Sequence, residues 1–313
     1  LLVGCEPPSE QAAGSAPDTT DAVATVAPAP APAPERWRSD SAIAGFDQLL
    51  AFVPGDSAYL WAATAKLDER DLLLRYDEWS PFFEAQALSV QSALYQAEWP
   101  FASLAGSALE QLRGRWHREG FDALGLLTTP RFAFFAIGLY PALRLELADV
   151  DRFELALSRV EVRAGLSPDY LRLHGLPVRV YSQGDWRLLV ALSPSECLLT
   201  AVPASQLDAA AAVLLSRVPL SQSLEASRRL AALTTSARPR FGADAADPTP
   251  PSALGVVDLQ ALAGLLASAA ESGDTAASCS HDLERIARVT PRLRFASWQN
   301  ASAQSGLLEF DLS

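Results

Sequence analysis

Phe132-Ala133-Phe134-Phe135-Ala136-Ile137-Gly138-Leu139, followed by Tyr140-Pro141-Ala142-Leu143-Arg144-Leu145-Glu146-Leu147, is the stretch on which the fold turns. The first segment is apolar on both faces, as a strand buried in the middle of a sheet is. The second alternates. Leu143, Leu145 and Leu147 share one side and Arg144 and Glu146 the other, the signature of a half-buried strand. A tight turn near Tyr140-Pro141 makes the two an antiparallel hairpin.

Working outward, Asp151 with Glu154 resembles a capping box for a helix bearing Phe153, Leu157, Val160 and Ala164. Strands at about 178–182, 187–192 and 196–202 form a meander, with Gly184-Asp185 as one turn. Helices are expected near 204–217 and 222–235, then a loop over 236–252 rich in Pro, Gly, Ala and Asp. A strand at 253–258, helices at 259–270 and 277–289, and strands at 292–299 and 306–312 complete the pattern. Upstream, Asp40 or Ser41 caps a short helix carrying Phe46, Leu49, Leu50 and Val53. Residues 58–63 form a strand with Tyr59 and Trp61 on one face. Ser80-Pro81 is read as the start of a long helix, which Trp99-Pro100 ends. A second helix with Leu104, Ala108, Leu112 and Trp116 then makes a helical hairpin over about 79–116. Helices and strands come in blocks, so the expected class is α+β with a largely antiparallel sheet packed with helices. The expected organisation is residues 1–5, the end of a signal peptide; 6–40, a disordered tether; and 41–313, the globular body, as the first part of a longer protein.

Leu2-Val3-Gly4-Cys5 fits the lipobox of bacterial lipoproteins. Its thiol takes the diacylglycerol, and the small residues before it admit the signal peptidase. Two or three acyl chains anchor a protein stably without a transmembrane helix. Glu6, where retention in the inner membrane favours Asp, points to the outer membrane. The tether has almost no large apolar residues and alternates Ala-Pro from Ala27 to Pro34, so it has too little apolar surface to offset its ordering entropy. The expected address is therefore the cell envelope, lipid-anchored at Cys5 and facing the periplasm.

Net charge of −12 and a pI near 4.7 argue against nucleic acid, whose phosphates demand clustered cations. No apolar run is long enough to span a bilayer. His117, His174 and His281 show no metal-ligand spacing, and His117 reads as a cation at a helix end. There is no nucleophile elbow, Ser-x-x-Lys pair, P-loop or dinucleotide fingerprint. Catalytic, metal and cofactor residues are therefore expected to be none. Cys197 shares a strand face with Leu199 and Ala201, and Cys279 a helix stripe with Leu283 and Ile286. A disulfide between them and two reduced core cysteines stand equally open.

Phe52-Val53-Pro54-Gly55-Asp56-Ser57-Ala58-Tyr59, the run Gly138 to Leu147 and Thr290-Pro291-Arg292 resemble an uncharacterised family of proteobacterial envelope lipoproteins. The resemblance covers most of residues 46–312. Members usually carry Ala at the Gly55 position and continue past this C-terminus. It implies localisation and fold and supplies no activity.

The function expected is a non-catalytic module that binds an envelope protein or supports an assembly. The helical hairpin is the expected surface: Asp68, Glu69, Asp71, Asp77, Glu78, Glu84 and Glu98 on one side, Arg113, Arg115 and Arg118 on the other. The alternative is a periplasmic carrier holding an apolar ligand among Trp61, Trp79, Phe82, Phe83, Trp99 and Phe101. A third reading, an enzyme using scattered carboxylates, requires two of them to converge in a cleft.

Overall fold

The fold is that of a computed structural model, which describes residue 50 and residues 52–63, 69–96, 98–215, 252–270, 276–299 and 304–311. Cys5, the tether and the helix expected at 222–235 lie outside the described residues, as does most of the helix expected before Pro54 and of the loop over 236–252.

The protein is α+β. Its strands are β1 (Tyr59–Ala63), β2 (Phe132–Ile137), β3 (Tyr140–Glu146), β4 (Asp169–Leu173), β5 (Leu176–Gln183), β6 (Trp186–Leu192), β7 (Glu196–Pro203), β8 (Ala253–Asp258), β9 (Arg292–Gln299) and β10 (Gln304–Asp311). The helices are α1 (Glu69–Gln96), α2 (Ala102–Leu112), α3 (Arg118–Ala123), α4 (Val150–Ala164), α5 (Leu207–Leu215), α6 (Leu259–Ala270) and α7 (Ala276–Val289). All ten strands join one antiparallel sheet in the order β10-β9-β8-β1-β2-β3-β7-β6-β5-β4.

One side of the sheet packs Leu60, Phe135, Ala142, Leu189, Leu198 and Leu254 beneath Ala211 and Leu214 of α5, with Leu50 and Val53. The other side, over β3, β7, β6 and β5, packs Tyr181, Leu188, Val190 and Cys197 beneath Val160 of α4 and Phe101 and Leu104 of α2. Alternation along each strand is what delivers two cores from one sheet.

Several local expectations are corrected. Ser80-Pro81 does not open α1, which begins at Glu69 and carries Pro81 in its interior. Pro81 is exposed, so water can reach the carbonyl that its missing N–H leaves unbonded. The apolar stripe on α1 runs through Phe83, Ala87, Gln91 and Leu94, all half-buried, while Val90 is exposed. Helix α2 stops at Leu112, short of Trp116. His117 does not close a helix: it caps the start of α3, where its Nδ1 accepts a hydrogen bond from the Gly120 N–H at 3.2 Å. The cap of α4 is Asp149, two residues before the expected Asp151. Its carboxylate accepts from the Arg152 N–H at 3.0 Å, and Gly165 in the left-handed region (φ 68°) ends the helix. The β2–β3 turn is Gly138-Leu139, with Gly138 at φ 60°, ahead of the expected Tyr140-Pro141.

The alternation in β3 was read as half-buried, with Arg144 on the solvent side; instead Arg144 is only 4% exposed. The face it shares with Ala142 is the one α5 covers. Its guanidinium pairs with Glu196 at 2.7 Å, donates to the Leu214 carbonyl at 2.8 Å and lies 3.6 Å over the Phe52 ring. An Arg tolerates such a site because its charge is paired and both terminal nitrogens donate, although its buried Nε has no hydrogen-bond partner among the described residues.

The sheet also contains a local two-fold relation. Strand β1, helices α1 and α2 and the β2–β3 hairpin recur as β8, α6, α7 and the β9–β10 hairpin, the short α3 having no counterpart among the described residues. Arg131 stands before β2 as Arg292 opens β9, each within a Thr-Pro-Arg run, and Phe134 then corresponds to Phe295. Trp61 pairs with Phe134 and Gly255 with Phe295, which makes Trp61 and Gly255 equivalent. They also pair with each other, so the axis passes between β1 and β8 at that point. Leu143, opposite Phe134, corresponds to Leu308, opposite Phe295.

Candidate interaction surface

The helix-packed side of the sheet is not covered along its whole length. Beyond β3 it continues as Phe132 and Phe134 of β2, Tyr59 and Trp61 of β1, Gly255 of β8, Phe295 of β9, and Leu308 and Phe310 of β10; register places all of them on one face. Trp61 is 49% exposed, Phe134 36%, Leu308 59% and Phe310 54%. Four strand spacings separate β2 from β10, so the apolar face spans about 19 Å. Scattered exposed apolar residues are ordinary, whereas a contiguous apolar strip, here across five strands, is the kind of feature found at contact surfaces.

The rings hold one another. Tyr59 stacks on Phe134 at 5.5 Å, and Trp61 meets Phe132 edge-on at 5.1 Å and Phe295 at 6.5 Å. The Phe295 ring occupies the space where Gly255 lacks a side chain: a Cβ there would come within 2.0 Å of it. Burial pushes the Tyr59 phenol up to about 12, so it stays neutral and part of the apolar surface.

Helix α1 adds exposed Phe82, Leu88, Val90 and Tyr95. Two of the described hairpin carboxylates are engaged locally. Glu84 accepts a hydrogen bond from the Gly114 N–H, and Glu110 lies 3.3 Å from Arg113 and 3.9 Å from Arg163. Asp68 lies outside the described residues, and the side chains of Glu69, Asp71, Asp77 and Glu78 are not described.

Of the six aromatic residues considered as the lining of one apolar cavity, the side chain of Trp79 is not described, and Phe101, Phe83 and Trp61 have different surroundings. Phe101 is in the core beside Trp99, Phe83 stacks on Trp116, and Trp61 stands on the open sheet face. The cleft between α1 and α2, bordered by Glu84, Leu88, Gln91, Glu110, Arg113 and Trp116, holds about 10 Å³, room for one water.

Two carboxylates do converge, on a cation. Arg179 donates to Glu154 at 2.6 Å and lies 3.6 Å from Glu161, which also accepts the Tyr181 hydroxyl at 2.7 Å. Burial and the neighbouring Glu161 push the Tyr181 phenol well above its ordinary value. This is a buried ion pair braced by a phenol, and it ties α4 to β5. Cys197 is a free thiol in the core of this side, pushed up to about 12 by burial and therefore protonated and inert. Cys279 falls on α7, and its side chain is not described. His174 sits at φ 48° in the β4–β5 turn, and no group of His, Cys, Asp and Glu suited to a metal ion occurs among the described residues.

Sequence reasoning missed the sheet face because its residues come from five strands scattered along the chain. The available signal was Tyr59 and Trp61 on one side of a strand, set against Phe132 and Phe134 on one side of another. No helix among the described residues is long and apolar enough to cross a membrane. Comparison with protein-family models, curated proteins and solved structures finds no match to the chain.

Proposed function

We propose that this chain is an envelope lipoprotein, acylated at Cys5 and held at the periplasmic face of a membrane, whose body is a non-catalytic protein-binding module. The resemblance to proteobacterial envelope lipoproteins and the lipobox support the address. The observation that carries the activity is the open apolar sheet face, with Trp61 and Phe134 at its centre. Exposed aromatic anchors of this kind dominate binding energy at protein interfaces. The surface thereby shifts from the hairpin charges to the sheet face, with the exposed apolar residues of α1 as a neighbouring contribution.

The test compares envelope capture by the anchored wild type, by Trp61→Ser/Phe134→Ser, and by the charge reversal Glu84→Lys. The aromatic variant should remain folded and lose its partner, since both side chains are substantially exposed, and the reversal should retain it. Retention of every partner by the aromatic variant would remove the sheet face from the reading. Mass spectrometry of the mature protein should find acylated Cys5 at its N-terminus, and Cys5→Ala should abolish stable anchoring; an unmodified mature protein starting elsewhere would overturn the address.

A further inference from the structure

The two halves of the sheet differ in one respect: the outer edge of β3 is paired with β7, whereas β10, its equivalent, pairs with β9 alone among the described residues. We propose that the outer edge of β10 takes up an extended apolar strand of another polypeptide, added antiparallel as β7 is added to β3. This rests on the reading of the body as a binding module and specifies the kind of partner.

The β3–β7 pairing shows what such a strand must offer. Leu143 faces Leu199 and Leu145 faces Cys197, and these correspond to Leu308 and Phe310 on β10. The partner therefore places a branched apolar residue beside Leu308 and a small one beside Phe310, where the larger ring replaces Leu145. Main-chain hydrogen bonds supply affinity and alternate side chains supply selectivity, as in strand addition generally. Edge strands are normally kept short, charged with Lys, or interrupted by Pro. The opposite edge, β4, has five residues and carries Asp169 and Arg172. Strand β10 has eight, with Glu309 and Asp311 but no Lys or Pro, and exposes Leu308 and Phe310; β4 also exposes Tyr170 and Leu171, so length is what sets the two edges apart. The β10 edge has the length and the apolar face of a strand built to be covered.

The probe is a fluorescent peptide with the β7 sequence Glu196–Pro203 carrying Cys197→Ala, titrated into the purified full chain. Saturable binding is expected, with slowed hydrogen exchange confined to residues 304–311. Leu308→Asp/Phe310→Asp should weaken it at least about tenfold. The same peptide with Leu199→Pro, which cannot complete the ladder, should not bind. No saturation, equal binding of the proline peptide, or undiminished binding to the variant would overturn the proposal. So would a homodimer dissociated by Leu308→Asp, because a second copy would then own the edge. Trp61→Ser/Phe134→Ser should bind the peptide normally, so loss of envelope capture by that variant reports on the centre of the face and loss of peptide binding on its β10 edge.

Discussion

Substituting Gly255 by Ala probes the local two-fold axis at its tightest point. The added Cβ would meet the Phe295 ring at 2.0 and 2.1 Å and the Leu60 carbonyl oxygen at 2.7 Å. The ring can swing away but the carbonyl, held in the β1–β8 ladder, cannot. Overpacking of this kind costs about 1–3 kcal/mol. Losing the edge-on contact with Trp61 adds about 0.5–1.5 kcal/mol. Ala is otherwise the better strand residue by about 0.5 kcal/mol, which offsets part of this. The expected net loss for Gly255→Ala is about 2 kcal/mol. Phe295→Ala alone should cost about 2 kcal/mol, less than a fully buried Phe because the ring is only half-buried. In the double variant the vacated ring leaves room for the new methyl, and only the Leu60 contact remains. The two costs should therefore fall short of additivity by at least about 1 kcal/mol. Urea unfolding of the four proteins, followed by circular dichroism, measures that difference. Additivity within about 0.5 kcal/mol would refute the claim that Gly255 is there to admit the Phe295 ring.

Arg144→Ala should destabilise by about 3–5 kcal/mol, because it strands the Leu214 carbonyl and the Glu196 carboxylate beside a new cavity; chemical denaturation reads this, and a loss under 1 kcal/mol would mean Arg144 is not buried. Glu196→Gln, which keeps a hydrogen-bond acceptor and is partly exposed, should cost less than Arg144→Ala. Asp149→Ala should cost about 1 kcal/mol and Asp151→Ala almost nothing, a direct check on which residue caps α4. Native Cys197 should resist thiol reagents at neutral pH. Its folded value of about 12 lies above that of an unfolded thiol, so its contribution to stability is constant below about pH 8.5. Above that, the unfolded chain releases the proton while the folded chain keeps it, and stability falls by about 1.4 kcal/mol per pH unit until pH 12. Cys197→Ala should remove that share of the alkaline loss, as stability measured at pH 8 and pH 10 would show.

The strands and helices of this protein are written locally. Periodicity placed β1, β2, β5 to β8, β9 and both helices between β8 and β9 within a residue or two, because burial on one face imposes its spacing on the chain directly. Where the physics depends on a neighbour, local pattern was a poor guide. The alternation in β3 is real, but whether the Arg144 side meets water or α5 depends on a helix about seventy residues away. Pro81 reads as a helix start until α1 is seen to continue past it. Asp151 with Glu154 reads as the cap of α4, but the extended backbone at Asp149 (φ −150°, ψ 109°), with the helix starting at Val150, gives that place to Asp149. The lipobox proposed at Leu2-Val3-Gly4-Cys5 is the reverse case, a reading made from residue order that calls on no fold. Thr-Pro-Arg occurs twice, and Leu-Arg-Leu-Glu-Leu is echoed by Leu-Glu-Phe-Asp-Leu. Such short likenesses carry no weight until hydrogen-bond register makes their positions equivalent. Pairing β1 with β8 is a long-range choice, set by which strand edges remain free once each hairpin has formed. That choice assembles the apolar face from five strands and leaves β10 at the edge of the sheet among the described residues.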